Sequence, residues 1–464
     1  MENASVNPPV AEARSIPRLF IKPRTLLTLS SSQGALVDDL VVAFRERGDV
    51  LQLSGLPVTY NMVIFRHPDH IKEIFNHDAI GIQKRHQEVM SEKIRLVMGA
   101  GTFINPGGED WERRRRMIEP AFYRAPVLSY TDTVPDATRL MLERWEEHAR
   151  TGQPFDVHKA FRMLILDISF KALFSVDLGD RLEQLHEMTH YAMHIFDHKA
   201  PLMVPTSQNK RYKKVALKLR ETVQEIIAER RRNPIETRDA LSHLLQARDK
   251  ETGTPFTDKE IEEEIFSIYL GAYVAGAVLT WTFYLMSIHP AHRYELEREA
   301  DAVLQGRLPV AADLNRLKYP IMILNESTRL FPPAWMLTRF AALPTEIGGY
   351  KVPGNSILMV PPYFAHRHPD FWENPEGFDP LRFSAERRSR IHRFAHFPFA
   401  GGARMCLGHQ LATLICQLII IQTAQRYVLD FSPASPLEPV KHFAFELEPR
   451  GHMLMTARLR QPSS

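Results

Sequence analysis

Short alternating runs of apolar and polar residues occupy the chain from about Asp49 to Phe65, where Val50-Leu51-Gln52-Leu53 and Val58 to Ile64 flank Gly55 and Pro57. That alternation predicts an antiparallel pair of strands. His67-Pro68-Asp69 then opens a helix. From Trp111 to about Arg329 apolar positions recur at helical spacing, with breaks at Pro106-Gly107-Gly108, Pro126 to Pro135, Pro201 to Pro205 and Gly253 to Pro255. Strand-like pieces return at Arg339 to Ala342, Glu346 to Lys351 and Ser356 to Val360. A turn-rich stretch from Pro362 to about Arg404 follows, then an apolar helix from Leu407 to Tyr427. The tail from Val440 to Leu459 reads as a hairpin around Pro449-Arg450-Gly451. No repeat is present, and the pattern predicts a mainly α protein with a small β portion.

One segment tests whether the chain is soluble. Ile265 to Ile288 carries no charged residue and is long enough to cross the roughly 30 Å hydrocarbon layer of a bilayer. Its upstream flank argues for a core helix instead. Thr257 and Glu260 have capping-box spacing, and Asp258, Glu260, Glu262, Glu263 and Glu264 crowd the first turns, where the helix dipole favours negative charge. The stretch around Leu19 to Leu29 is broken by Lys22, Pro23 and Arg24, unlike the unbroken apolar region of a signal peptide. Residues 1–20 are therefore expected to be a flexible leader, and the protein cytoplasmic without a membrane anchor.

Composition narrows the chemistry. The 58 Lys+Arg against 55 Asp+Glu among 464 residues give a near-neutral chain, which argues against nucleic acid as the main partner. Two cysteines exclude a disulfide framework and a four-cysteine zinc site.

One of those cysteines has an unusual setting. Phe399-Ala400-Gly401-Gly402-Ala403-Arg404-Met405-Cys406-Leu407-Gly408 reads as a device for presenting one sulfur to a metal. Glycines at 402 and 408 let the backbone fold tightly, and the helix start just beyond offers N–H groups that favour thiolate. Phe399 can cover the sulfur. Cys416 lies inside the following helix and reads as core. The pattern Phe-x-x-Gly-x-Arg-x-Cys-x-Gly, followed by Ala412, resembles the haem-ligand signature of the cytochrome P450 family. The resemblance implies that fold as one catalytic domain over residues 21–464, with Cys406 as axial ligand of the iron of haem b.

Further motifs fit the resemblance, in the family's order. Asn325-Glu326-Ser327-Thr328-Arg329 is similar to its Glu-x-x-Arg helix, and Phe378-Asp379-Pro380-Leu381-Arg382-Phe383 to its aromatic-Pro-x-Arg-Phe segment, although Asp379 is unusual there. The resemblance implies that Glu326, Arg329 and Arg382 form a buried charge cluster bracing the cysteine loop. It also implies that Trp111, Arg115, Arg339 and Arg404 hold the haem propionates. Arg113, Arg114 and Arg116 are expected to point away from the haem and to steer an acidic ferredoxin or flavodoxin-type electron donor.

The central helix departs from the family pattern. Counting back from Trp281 and His289-Pro290, the oxygen-activating segment falls on Leu270-Gly271-Ala272-Tyr273-Val274. Gly271 matches, but Tyr273 replaces the acid and Val274 the alcohol that normally manage proton delivery. Thr280 sits roughly 240° around the helix from Val274, while Thr282 and Ser267 lie about 12 and about 10 Å away along the axis, too far to substitute. Gly271 would let oxygen approach, and Tyr273 and Val274 would shape the distal side. Substrate-lining segments are expected at 85–105 (Met90, Ile94, Val97, Met98), Ile195 to Met203, Leu270, Ala334 to Leu337 and Phe443 to Phe445. All are greasy. The expected activity is monooxygenation of a hydrophobic small molecule such as a terpenoid or polyketide, using O2 and partner-supplied electrons. The alternative is atypical chemistry of the same family: isomerisation, dehydration, oxidative coupling or peroxide use.

Overall fold

The computed structural model describes residues 14–22, 34–55, 60–76, 82–83, 92–102, 107–194, 200, 202–236, 238–432, 441–443 and 446–460. Of the expected substrate-lining residues, Met90, residues 195–199 and 201, and Phe445 lie outside this set, as do the side chains of Ile94 and Phe443.

A six-stranded sheet forms one end of the fold. Strands β1 (Arg18–Phe20), β2 (Val50–Ser54), β3 (Asn61–Phe65), β4 (Ile82–Gln83), β6 (Leu337–Ala341) and β9 (Ser356–Val360) lie in the order β1-β2-β3-β9-β6-β4. The predicted pair around Gly55 is β2 and β3, antiparallel with Leu51 opposite Ile64. The stretch expected as a leader reaches into this sheet, because Arg18–Phe20 runs parallel to β2 and Ile21 is buried. Glu346 to Lys351 folds as the small hairpin β7 (Thr345–Ile347) and β8 (Tyr350–Val352).

The tail differs from its predicted hairpin. Strand β11 (Lys441–Phe443) pairs with β12 (Leu447–Pro449), while β13 (Leu454–Leu459) pairs instead with β10 (Tyr427–Phe431) and β5 (Phe155–Asp156). Pro449-Arg450-Gly451 thus joins two sheets. Alternation alone could not reveal that β13 finds more buried partners elsewhere.

Helices make up the rest. The ones that build the site are α1 (Glu109–Ile118), α2 (Val157–Phe174), α3 (Arg181–Met193), α4 (Asp258–Tyr273), α5 (Ala275–Ile288), α6 (Tyr319–Leu330) and α7 (His409–Arg426). The capping box closes as expected, with Thr257 accepting from the Glu260 N–H and Glu260 from the Thr257 N–H. The apolar stretch is core. Asp258–Ile288 is, among the described residues, the one segment long and apolar enough to cross a bilayer, and 78% of its most apolar window is buried within the fold.

That segment is not one continuous helix. It is interrupted at Val274. The Ala277 N–H donates to the Val274 carbonyl, three residues back, at 3.1 Å rather than to Tyr273. The freed Tyr273 carbonyl accepts instead from Arg162 Nη1 of α2, at 3.1 Å. Helix α2 comes close enough to do this because residue 276 is glycine. A Cβ there would lie 3.0 Å from Arg162 Cα and 3.1 Å from its N, backbone that cannot yield.

Candidate functional site

The loop before α7 presents Cys406. The Cys406 N–H donates to the Phe399 carbonyl at 3.0 Å, closing the loop, and Cys406 is exposed. Two residues take the left-handed conformation here, Ala400 (φ 63) and Gly402 (φ 71). The latter needs glycine. Gly401 needs it for space, since a Cβ would meet Phe394 at 2.9 Å and Phe75 at 3.1 Å. Gly408 has φ −79, so its value is not conformational; a Cβ there would sit 4.0 Å from the Cys406 sulfur. Phe399 is half-buried and edges His409, with ring centroids 6.1 Å apart. Cys416 is buried, its thiol pushed up to about 12 by desolvation, and so is inert.

Guanidinium groups converge on this loop. Arg115 Nη2 donates to the Met405 carbonyl at 3.1 Å. Burial lowers the Arg115 pKa, against the opposing influence of Glu119 and Cys406. Arg404 lies flat on Trp111, 3.7 Å from the ring centroid. Arg339 is buried, donates to the Thr338 carbonyl at 3.0 Å and stacks 4.9 Å over Phe75, the ring that touches Gly401. Trp111, Arg115, Arg339 and Arg404 therefore all border the cysteine loop.

Behind it lies the charge cluster. Arg329 grips Glu326 with two bonds of 2.7 Å, and Arg382 Nε donates to the same carboxylate at 3.3 Å. The Asp379 N–H adds a fourth bond at 2.9 Å. Arg329 also donates to the carbonyls of His366, Pro375 and Gly377, and stacks 5.0 Å from Trp372. Glu326 and Arg329 are wholly buried, so every donor and acceptor needs its partner.

The central helix turns one open face inward. Gly271 is exposed and Ala272, Val274 and Ala275 are half-buried, on a helix otherwise packed into the core, and a Cβ at Gly271 would meet nothing within 4 Å. Tyr273 is not on that face, contrary to the expectation that it shapes the distal side. It is 1% exposed, its ring lies under Arg162 at 4.4 Å, and its hydroxyl pairs with His186 Nδ1 at 3.0 Å. The reason is helical geometry: position 273 is roughly 200° from 271, whereas 274 and 275 share its side. Burial pushes the Tyr273 phenol well above its ordinary range. Thr280 and Thr282 bond back to their own helix at Gly276 and Val278. Val97, Met98 and Leu270 pack into the main core.

A second correction concerns Arg113, Arg114 and Arg116, which do not form a free basic face. Arg114 is buried and pairs with Asp110, Glu263 and Glu264. Arg113 pairs with Glu260 and stacks over Phe256; Arg116 pairs with Asp249 and Glu251. Three of these partners, Glu260, Glu263 and Glu264, are acids read from sequence as dipole-complementing; they also bind α1 to α4.

Residues that the sequence reading missed cluster on the far side of the interrupted helix. Arg162, wholly buried, donates to Glu446 at 2.5 Å and Glu448 at 2.8 Å, and His158 lies 3.3 Å from Glu448 and 3.0 Å from the Thr280 hydroxyl. Two signals pointed there: the four-residue spacing of His186, His190, His194 and His198, and the period-two pair Glu446 and Glu448.

Fold and site define a class: helical proteins with one cysteine on a glycine-rich loop bordered by arginines, just ahead of an apolar helix. The family model described as cytochrome P450 matches residues 23–455. Cyclooctat-9-en-7-ol 5-monooxygenase of Streptomyces melanosporofaciens is 32% identical over 356 residues, 75% of this chain and 76% of that protein. Pentalenene oxygenase of Streptomyces avermitilis is 27% identical over 399 residues, covering 84% and 87%. The crystal structure of the cytochrome P450DA heme domain superposes with a TM-score of 0.87 at 24% identity, covering 97% of this chain and 98% of that one. The chain belongs to the cytochrome P450 family and is an oxidoreductase of the monooxygenase kind, in a family built around haem iron.

Proposed function

We propose that this protein, as a single catalytic unit with thiolate-ligated haem b, oxygenates a hydrophobic small molecule of the terpenoid class. The observation that carries the reading is the exposed Cys406 on a loop bordered by Trp111, Arg115, Arg339 and Arg404. This donor set suits haem, a dicarboxylate macrocycle needing one axial ligand and cationic anchors, and the open face at Gly271 leaves room above it. Bound haem would supply oxygen activation, with thiolate donation favouring O–O cleavage.

This chain's own residues do the rest. Cys406 would ligate the iron; Arg115, Arg339, Arg404 and the Trp111 N–H would hold the propionates; Phe399 would shield the sulfur; Glu326, Arg329 and Arg382 would brace the loop. Gly271 admits oxygen, and Val274 presents a methyl surface that excludes water. The relatives named for terpenoid oxygenation support the substrate class. Electrons come from a separate ferredoxin or flavodoxin-type protein that docks elsewhere than on Arg113, Arg114 and Arg116. With its apolar stretch buried in the core, we read the protein as soluble and cytoplasmic.

A second reading is favoured by one observation. Val274 has no proton to give, and the Tyr273 hydroxyl is engaged with His186 away from the open face. Isomerisation, dehydration, coupling or peroxide use asks less of such a relay. The test is turnover with 18O2 and a reducing partner. A product one oxygen heavier carrying the label is expected, and product formed without any reductant would transfer the assignment to the second reading. Cys406→Ala should abolish the thiolate-type spectrum of the reduced carbonyl complex; an unchanged spectrum would refute the ligand assignment.

A further inference from the structure

Histidines 190 and 194 lie four residues apart at the end of α3, so their rings share a face, with centroids 4.2 Å apart. Glu448, buried on β12, meets them: His194 Nε2 lies 2.7 Å from Glu448 Oε1. One nitrogen from each ring and one carboxylate oxygen fall within 4.8 Å of one another. We propose that His190, His194 and Glu448 form a binding site for a divalent transition metal of the zinc class, separate from the haem.

Three features favour a cation there. First, the two oxygens of Glu448 are divided. Oε2 is held by Arg162 at 2.8 Å and His158 at 3.3 Å, which fixes the carboxylate and leaves Oε1 aimed at the imidazoles; outer partners of this kind orient metal ligands. Second, two buried carboxyl groups, Glu446 and Glu448, share the single buried guanidinium of Arg162. Third, His190 Nδ1 and Glu446 Oε2 are buried without a hydrogen-bond partner among the described residues. Two imidazoles and a carboxylate are a zinc-type set, completed by water in the fourth position. His194 is 24% exposed, which gives an ion access. His186, stacked 5.8 Å from His190, is turned to Tyr273 and is not a ligand. The bound metal would clamp the end of α3 to the β11–β12 hairpin.

The test uses untagged, metal-stripped, haem-loaded protein titrated with ZnCl2 by calorimetry, with equilibrium dialysis for stoichiometry. One saturable zinc per chain is expected at pH 7.5, weakening by at least about tenfold in H190A and in H194A. Zinc should raise the melting temperature of the wild type and leave that of H194A unmoved. An unchanged visible haem spectrum in both variants shows that they fold. No saturable binding, or binding that both variants retain, would overturn the proposal whether or not the enzyme is a monooxygenase.

Discussion

Replacing Arg162 by Met keeps much of its volume and removes its charge, and the structure says what that leaves behind. Two carboxylates at most 3% exposed lose the cation that bridges them, and the Tyr273 carbonyl loses the donor that substitutes for its helical bond. Removing one member of a buried ion cluster costs about 3 to 5 kcal/mol, and an orphaned carbonyl about 1 to 3 more. The carboxylates can partly escape by taking up protons, because burial already pushes the Glu446 pKa up to about 7. A net loss of about 4 kcal/mol near pH 8 is expected, roughly 4 °C in melting temperature for a protein of this size. The sign of the pH dependence follows. A stranded carboxylate binds its proton more tightly when folded, so the deficit of R162M grows as pH rises and shrinks toward pH 6. Adding Glu446→Gln removes one stranded charge and should recover part of the loss. Melting of the haem-loaded proteins, followed by far-UV circular dichroism at pH 6 and 8, measures all three. An R162M protein melting within about 1 °C of wild type at pH 8, or no recovery in the double variant, would refute the view that Arg162 holds the interruption at Val274.

Glu326→Ala strands Arg329 and Arg382 in the core; a loss of about 3 to 5 kcal/mol and a falling haem-loaded fraction are expected, read by chemical denaturation and the haem-to-protein absorbance ratio. The Glu264 carboxyl is pushed up to about 7 by burial, only partly offset by the Thr102 N–H and Arg114. Its folded pKa exceeds its unfolded one, so its contribution to stability falls as pH rises between about 4.3 and 7. E264Q should therefore gain on the wild type in melting temperature between pH 5 and 8, and a constant gap would contradict the burial argument. Val274→Thr adds a hydroxyl to the open face at nearly constant volume. Peroxide leakage per electron should fall if oxygenation lacks a relay, and unchanged coupling counts toward the second reading.

The sequence by itself determined the parts whose cause is local. A cysteine in a glycine-rich loop before an apolar helix, a Glu and Arg at helical spacing, and a capped charge-free helix are set by neighbours in the chain, and Cys406, Glu326 with Arg329, and Thr257 with Glu260 were legible for that reason. Partners distant in sequence were not. Whether Arg113, Arg114 and Arg116 face a docking protein or the acids of α4 depends on which helix packs beside them, and β13 left its expected hairpin because β10 and β5 lay in reach. The helix interruption at Val274 needs Arg162 from 112 positions earlier (274 − 162) and Glu446 and Glu448 from a distant hairpin. Spacing can put residues on one face, but only the folded chain decides what that face meets, because a buried charge takes its partner from three-dimensional packing.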